Sequence, residues 1–303
     1  MNLPFDSSKP FPIPVVALGA GSQTEDEGLE YLSMPSGMAT YHPPSLPEPE
    51  AFAGHGAAVA ALHEVLARLQ RLLAGETGEA VAPVSLAGLG AEDLALIHQV
   101  LGEGEVSAQV LAEPGRAGDV SGVPRVQIQE SVFAGVWRVI ERCDDGSVRD
   151  HIEVGPVPAV LRQAAREDAR APRPALSPLP PGVLNAPAIV AELADHRLHW
   201  RAGATAEVVN LTLLPVSPED IAYIDHIIGT GRVVILSRGY GNCRITNAAV
   251  DHTWRVVYYN SQDVVILNSV EVVDLPEVAC AATEDLADSA ERLVEVLQWV
   301  EQG

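Results

Sequence analysis

Basic residues are what this sequence has least of: 19 Lys and Arg stand against 41 Asp and Glu, a formal charge of −22 over 303 residues. Between Lys9 and Arg68 there is no Lys or Arg, while Glu25, Asp26, Glu27, Glu30, Glu48 and Glu50 fall there. Nucleic acid is not expected as a partner, because phosphates need a broad basic face. An anionic membrane surface is disfavoured for the same reason. A basic peptide or protein would be attracted instead, although net charge alone also serves solubility. Cysteine is scarce too. Cys143, Cys243 and Cys280 are too few for a disulfide framework and lack the CxxC spacing of zinc or redox sites, which points to a reducing cytoplasm. No apolar run approaches the ~18 residues of a membrane span, so no membrane insertion is expected. The N-terminus shows no basic-then-apolar pattern of a secretory signal. No metal set, cofactor fingerprint or catalytic motif stands out.

What is present is globular in composition, 47% hydrophobic and 20% charged, in a chain long enough for two cores. Residues 1–55 read as an extended, proline-rich acidic arm. Val15-Val16-Ala17-Leu18 with Gly19-Ala20-Gly21 hints at a dinucleotide turn. Thr24-Glu25-Asp26-Glu27 then follows where a helix should receive a pyrophosphate, and the acidic run would repel it. Pro35, Pro43, Pro44, Pro47 and Pro49 break any long element. Apolar anchors inside the arm make packing on the body or on a partner one reading, with Glu25, Asp26, Glu27, Tyr31, Met34 and Met38 as contact residues. A disordered acidic tail is the other.

The body says one thing twice. Val84-Ser85-Leu86, Ala91 to His98 and Gly102 to Val106 form a first statement; Val209-Asn210-Leu211, Pro218 to Asp225 and Gly229 to Val233 form a second. Glu92 and Glu219, like Gly104 and Gly231, stand 127 residues apart. Downstream, Trp137 matches Trp254 and Glu167-Asp168 matches Glu284-Asp285 at 117. A period this long means a duplicated domain and not a solenoid. The fold class expected is α+β: two copies of a strand–helix–antiparallel strands–helix domain behind the arm. The boundaries expected are arm 1–55, first copy 56–170, proline-rich linker 171–185 and second copy 186–303. In the second copy Ser217 reads as a helix N-cap with Pro218 at the first helical position, and a last helix is predicted from about Pro276 to Val300.

The copies differ most where the first carries a generic loop, Leu111 to Pro124, and the second carries Ser237-Arg238-Gly239-Tyr240-Gly241-Asn242-Cys243-Arg244. Two glycines at alternate positions allow a turn presenting two guanidiniums, a phenol, a carboxamide and a thiol. With Arg232 and Arg255 they form a basic island in an acidic chain. Paired Arg near Asn and Tyr suits a carboxylate or a partner's acidic group; a plain hairpin turn is the alternative. Cys243 could be a nucleophile if His226 or His252 activated it, but a small buried Cys in a strand is commoner. His196 and His199 are a lone pair, not a metal site. Trp137 and Trp254 read as core aromatics.

Three stretches are similar to a known family. They are Glu25-Asp26-Glu27-Gly28-Leu29-Glu30-Tyr31-Leu32-Ser33-Met34-Pro35 with Gly37 to Tyr41, the stretch Ser237 to Thr246, and Glu271 to Glu277 with Glu284 to Leu293. They resemble the HupH/HyaF hydrogenase expression/formation family. The resemblance implies a cytoplasmic accessory protein, a chaperone for maturation of a nickel–iron uptake hydrogenase and not an enzyme. It implies binding of the iron–sulfur small-subunit precursor, which carries a twin-arginine export signal, often beside a thioredoxin-like accessory protein. The alternative is an enzyme or iron–sulfur-handling factor using Cys243 with Arg238, Tyr240 and Arg244. No cluster-ligand cysteines are present, so no cofactor is expected.

Overall fold

Periodicity in the sequence becomes two series of elements with the same order. The computed structural model describes residues 46–113, 123–170, 175–239 and 241–301. The first 45 residues, with all six expected contact residues of the arm, lie outside these. The first series is α1 (Gly56–Leu73), β1 (Val84–Ser85), α2 (Ala91–Leu101), β2 (Val106–Val110), β3 (Val126–Glu130), β4 (Val136–Arg142), β5 (Val148–Val154) and α3 (Ala159–Asp168). The second is α4 (Ala186–His199), β6 (Glu207–Asn210), α5 (Pro218–Ile228), β7 (Val233–Ser237), β8 (Asn242–Asn247), β9 (Thr253–Tyr259), β10 (Val265–Val272) and α6 (Thr283–Glu301). The α+β class holds, and the strands pair antiparallel.

Strand register repeats with the sequence offset. Ile128 faces Val139 in the first series as Ile245 faces Val256 in the second. Arg138 faces Ile152 as Arg255 faces Val270. Position-by-position comparison between the series is therefore geometric as well as textual.

The chain divides into two compact units, each drawing on both series. The first holds Tyr41–Ala164, Arg232–Gly239 and Glu277–Gly303. Its strands run in the order β1-β5-β4-β3-β2-β7. The apolar stripe of α1 (Leu62, Val65, Leu69) joins that of α6 (Leu286, Leu293, Leu297, Val300), with Ile97, Val100, Phe133, Val136 and Ile152, in one core. The second unit holds Ala165–Gly231 and Tyr240–Pro276, with strand order β8-β9-β10-β6. There α4 and α5 bury Ile189, Leu193, Ile221, Ile224 and Ile228 with Val209, Val270 and Val272.

Thus α6, last in the second series, belongs with the strands of the first. At the corresponding point after α3 the sequence carries Pro172, Pro174, Pro178, Pro180 and Pro181, which a helix interior does not tolerate. The terminal helix itself starts later than the sequence predicts. A 3-10 turn spans Glu277–Ala279, and Ala281 N–H then bonds the Pro156 carbonyl at 2.8 Å, which holds the chain off the helical path until Thr283.

The predicted start of α5 is observed, and it does more than cap one helix. Ser217 Oγ accepts from Asp220 N–H at 3.0 Å, and Asp220 Oδ2 accepts from Ser217 N–H at 3.1 Å. Asp220 Oδ1 also accepts from Leu184, Asn185 and Ala186 at 2.8, 2.9 and 2.9 Å, the orphan donors that open α4. One buried carboxylate thus closes two helix N-termini. Burial pushes its pKa up, but these N–H donors outweigh burial and hold the carboxyl below its usual range.

The turns before β2 and β7 contain Gly104 and Gly231, equivalent in the repeat, and both need the missing side chain. Gly104 N–H bonds the Glu130 carbonyl at 2.7 Å and Gly231 N–H the Asn247 carbonyl at 2.8 Å. A Cβ at Gly104 would strike the Ser131 carbonyl; at Gly231 it would strike the Asn247 amide.

Candidate functional site

The polar stretch expected to be functional runs from the end of β7 into β8, and the boundary between the compact units falls inside it. Ser237, Arg238 and Gly239 belong to the first unit; Asn242, Cys243 and Arg244 belong to the second. Tyr240 lies outside the described residues. Gly241, at φ 108°, adopts a backbone that L-residues resist.

In the first unit, alternation along β7 buries Val233, Ile235 and Ser237. Ser237 sits opposite Val106 on β2. Arg238 is anchored through the turn beside it, its N–H donating to the Glu105 carbonyl at 3.1 Å and Nη2 reaching the Gly104 carbonyl at 3.5 Å. A Cβ at Gly239 would meet the Glu105 carboxylate. Arg232 is occupied nearby, with Nη1 3.7 Å from Glu113 Oε2.

Beneath that turn lies Glu130, which sequence reasoning missed. It is 6% exposed, and Oε1 accepts from Gly135 N–H at 3.2 Å. Burial raises its pKa to about 7; N–H groups of Gly135 and Val106 oppose the shift, and Glu105 and Asp285 reinforce it. Because the folded value lies above the unfolded one, Glu130 contributes stability fully at low pH and loses it as pH rises from 4.5 through 7. Glu130→Gln lacks that term. Relative to wild type the variant should therefore gain about 2 kcal/mol between pH 4.5 and 8, a figure discounted for solvent relaxation. Denaturant midpoints at the two pH values check this, and equal shifts in both proteins would refute it.

In the second unit β8 pairs with β9: Asn242 faces Tyr259, Cys243 faces Tyr258 and Arg244 faces Val257. Cys243 is 3% exposed. Burial pushes its thiol up to about 12, against the Tyr258 hydrogen bond that lowers it, while Glu271 raises it further. Neither His226 nor His252 is among the groups acting on it. His252 stacks on Trp200, ring centroids 3.5 Å apart. A thiol with such a pKa carries almost no thiolate at neutral pH, and the thiolate is the nucleophile and metal ligand.

Arg244 lies on the opposite face of β8 from Cys243 and is half-buried. Burial lowers its pKa, with Tyr259 as the opposing influence. Arg255, 2% exposed, pairs with Asp225 of α5 at 3.4 Å. Burial lifts Asp225 to about 7 against the pull of Arg255. The four arginines read as one basic island thus fall two to each unit, and Arg232 and Arg255 have carboxylate partners. Asp225 and Tyr259 lie beside Arg255, and the sequence reading did not bring them there. The repeat held a signal, since Asp150 of the first copy becomes Asn268 in the second.

The remaining candidates have local roles. His196 is 3.7 Å from Glu192 and 4.0 Å from Glu207, and His199 is 3.3 Å from Asp195. Among the described residues no group of three His, Cys, Asp or Glu could hold a metal, and no helix is long and apolar enough to cross a membrane. Trp137 and Trp254 are core residues whose Nε1 groups donate to the Gly155 and Asp274 carbonyls at 2.9 and 3.2 Å.

Comparison with known proteins adds what geometry alone does not. The family profile described as HupH hydrogenase expression protein, C-terminal conserved region, matches this chain twice, over residues 56–178 and 183–300. The hydrogenase expression/formation protein HoxQ of Cupriavidus necator is 53% identical over 96% of this chain and 98% of its own length. HupH of Rhodobacter capsulatus, also a hydrogenase expression/formation protein, is 47% identical over 96% and 98%. The hydrogenase-1 operon protein HyaF of Escherichia coli is 33% identical over 94% and 96%.

Proposed function

Because this chain belongs to the HupH hydrogenase expression protein family, we propose that it is an accessory protein of hydrogenase maturation that acts by binding and not by catalysis. The observation that carries the reading is near-full-length similarity to proteins named for hydrogenase expression and formation. The partner in this reading is the iron–sulfur small-subunit precursor, met in the cytoplasm before export, with a thioredoxin-like accessory protein as companion. The acidic arm, through Glu25, Asp26, Glu27, Tyr31, Met34 and Met38, would meet a basic signal region by charge attraction. Ser237 to Arg244 would supply the second contact.

The two matches of one profile favour descent by duplication, with copies at 56–170 and 186–303 joined by the linker 171–185. Presence of the polar motif in one copy only favours a specific role for it. The rival reading, chemistry at Cys243 with Arg238, Tyr240 and Arg244, gets no help from a thiol buried at 3% exposure.

Co-purification from hydrogenase-expressing cells tests the proposal. Wild type should retain the small-subunit precursor, and Arg238→Ala with Arg244→Ala should retain at least tenfold less. Cys243→Ser should retain it normally and support normal maturation. A double variant that captures the precursor as wild type does would remove the motif from the interface, and a maturation defect in Cys243→Ser would revive the thiol reading.

A further inference from the structure

Three leucines of the second unit stand in water although the apolar residues around them are buried. Leu184 is 79% exposed, Leu213 80% and Leu214 38%. Nearby, Val183, Ala186 and Leu211 enter the core, and Val216 packs against it. The leucines belong to the two segments that lead into α4 and α5, and those segments lie side by side. Asn185 Nδ2 donates to the Pro215 carbonyl at 2.6 Å and Ser217 Oγ to the Gly182 carbonyl at 3.0 Å, while Asp220 holds both helix starts. The loop is tied down from within as well. Thr212 N–H donates to Asn210 Oδ1 at 3.0 Å, and Val216 N–H donates to the Leu214 carbonyl at 2.9 Å. A backbone fixed in this way presents its apolar side chains with little ordering left for a partner to impose.

The sister copy makes the same turns without such side chains. Asp93, 127 residues before Asp220, meets the start of α1, its Oδ1 3.0 Å from His55 Nδ1. Two residues before α1 stands Gly54; two before α4 stands Leu184. Between Leu86 and Leu89, which both pack in the first core, lie only Ala87 and Gly88. Between Leu211 and Val216, which pack likewise in the second, lie Thr212, Leu213, Leu214 and Pro215. The fold therefore does not require the three leucines, and a cluster of exposed apolar side chains marks an interaction surface.

We infer that the patch of Leu184, Leu213 and Leu214 docks an apolar segment of another chain flanked by arginine or lysine. Charge selects that occupant. No Lys or Arg falls between Arg173 and Arg197 or between Arg201 and Arg232. Glu219 is exposed at the patch, its side chain lying against Gly182, and Glu207 is exposed on β6. A second copy would bring −22 to meet −22 and be repelled, whereas basic flanks are drawn in. An anionic lipid surface is repelled for the same reason. The inference rests on the reading of this chain as a binding protein, and it assigns a contact apart from Ser237 to Arg244.

Fluorescence anisotropy tests it on the full chain with a labelled dodecapeptide of eight Leu and Ala residues between two pairs of arginine. Binding is expected, and it should weaken at least tenfold when the arginines become glutamates or the leucines become serines. Leu184→Ser with Leu213→Ser should lose at least tenfold in affinity at an unchanged denaturation midpoint, because both side chains are exposed in the folded protein. Val148→Ser, an equally open apolar site in the first unit, should bind as wild type. No binding, equal binding of the glutamate peptide, or wild-type affinity in the double leucine variant would each overturn the inference. So would a dimer in sedimentation equilibrium that the leucine variant abolishes, or cosedimentation with phosphatidylcholine vesicles that it abolishes, since these assign the patch to a second copy or to lipid. None of these results touches co-purification of the precursor through Arg238 and Arg244, whose own failure leaves the peptide titration standing.

Discussion

Gly104→Ala is expected to destabilise the protein by about 4 kcal/mol, although an added methyl ordinarily stabilises by restricting the unfolded chain by ~0.4–1 kcal/mol. The new Cβ would strike the Ser131 carbonyl, a backbone atom with little room to yield. Ser131 is 4% exposed, its N–H bonds the Val136 carbonyl at 2.8 Å, and its Oγ bonds the Phe133 carbonyl at 2.9 Å. Relief therefore requires moving the turn away, which breaks the 2.7 Å bond from Gly104 N–H to the Glu130 carbonyl. Overpacking of ~1–3 kcal/mol and a lost buried hydrogen bond of ~1 kcal/mol add to that figure. The same movement would draw the Gly104 and Glu105 carbonyls from Arg238, so binding through the motif should weaken as well. Gly231→Ala is the matched comparison. Its obstacle is the Asn247 side chain, which can rotate at the loss of its 3.1 Å bond to Asp168, so a cost of about 2 kcal/mol is expected. Urea unfolding at constant m-value measures both, and a Gly104→Ala protein as stable as wild type would contradict the close approach.

Asp220→Ala should cost about 3 kcal/mol, more than the ~1 kcal/mol of an ordinary N-cap. The carboxylate accepts from four backbone N–H groups belonging to two helix starts. Removing it strips both N-termini of a charge-assisted acceptor and of a favourable interaction with their dipoles. The total stays below the sum of four such bonds, because the Leu184 and Asn185 ends are exposed and water can replace part of what is lost. Asp220→Asn keeps one acceptor oxygen but turns an amide towards a donor, so about half the effect is expected. The pH dependence has a definite sign. With its folded pKa held below the ordinary aspartate value of 3.8, Asp220 contributes stability above that value and loses it as pH falls. Wild type and Asp220→Ala should therefore converge in strong acid. Amide exchange at the first turns of α4 and α5 is the local readout, and protection unchanged there in Asp220→Ala would refute the shared cap.

Legibility followed range. Ser217, Pro218 and Asp220 lie within four residues of one another, and what they do depends on local backbone geometry, so the start of α5 could be read directly. The equivalence of Gly104 with Gly231, and of Trp137 with Trp254, could be read because a repeated pattern is its own alignment. Strand runs such as Val233 to Ser237 and Thr253 to Tyr259 followed from β-branched and aromatic content. The polar motif was visible for the same reason, as a dense set of specific groups missing from the sister copy.

The sequence by itself determined the α+β class, the strand–helix–strands–helix order that follows α1 and α4, and the start of α5, because these depend on contacts within a few residues; the helix α4 (Ala186–His199) was not among the expected elements. Tertiary structure alone decided which strands α6 would cover. Its stripe of Leu286, Leu293, Leu297 and Val300 is a generic apolar face, and only packing against Leu62, Val65 and Leu69 gives it a partner. Tertiary structure also decided that Cys243 is a buried thiol pushed to about 12, that Glu130 is held near 7, and that the motif is shared between two compact units. Burial and pairing of a charge are set by neighbours up to more than a hundred residues away. Asp285 acting on Glu130 is one case, and no local pattern around either residue announces the other.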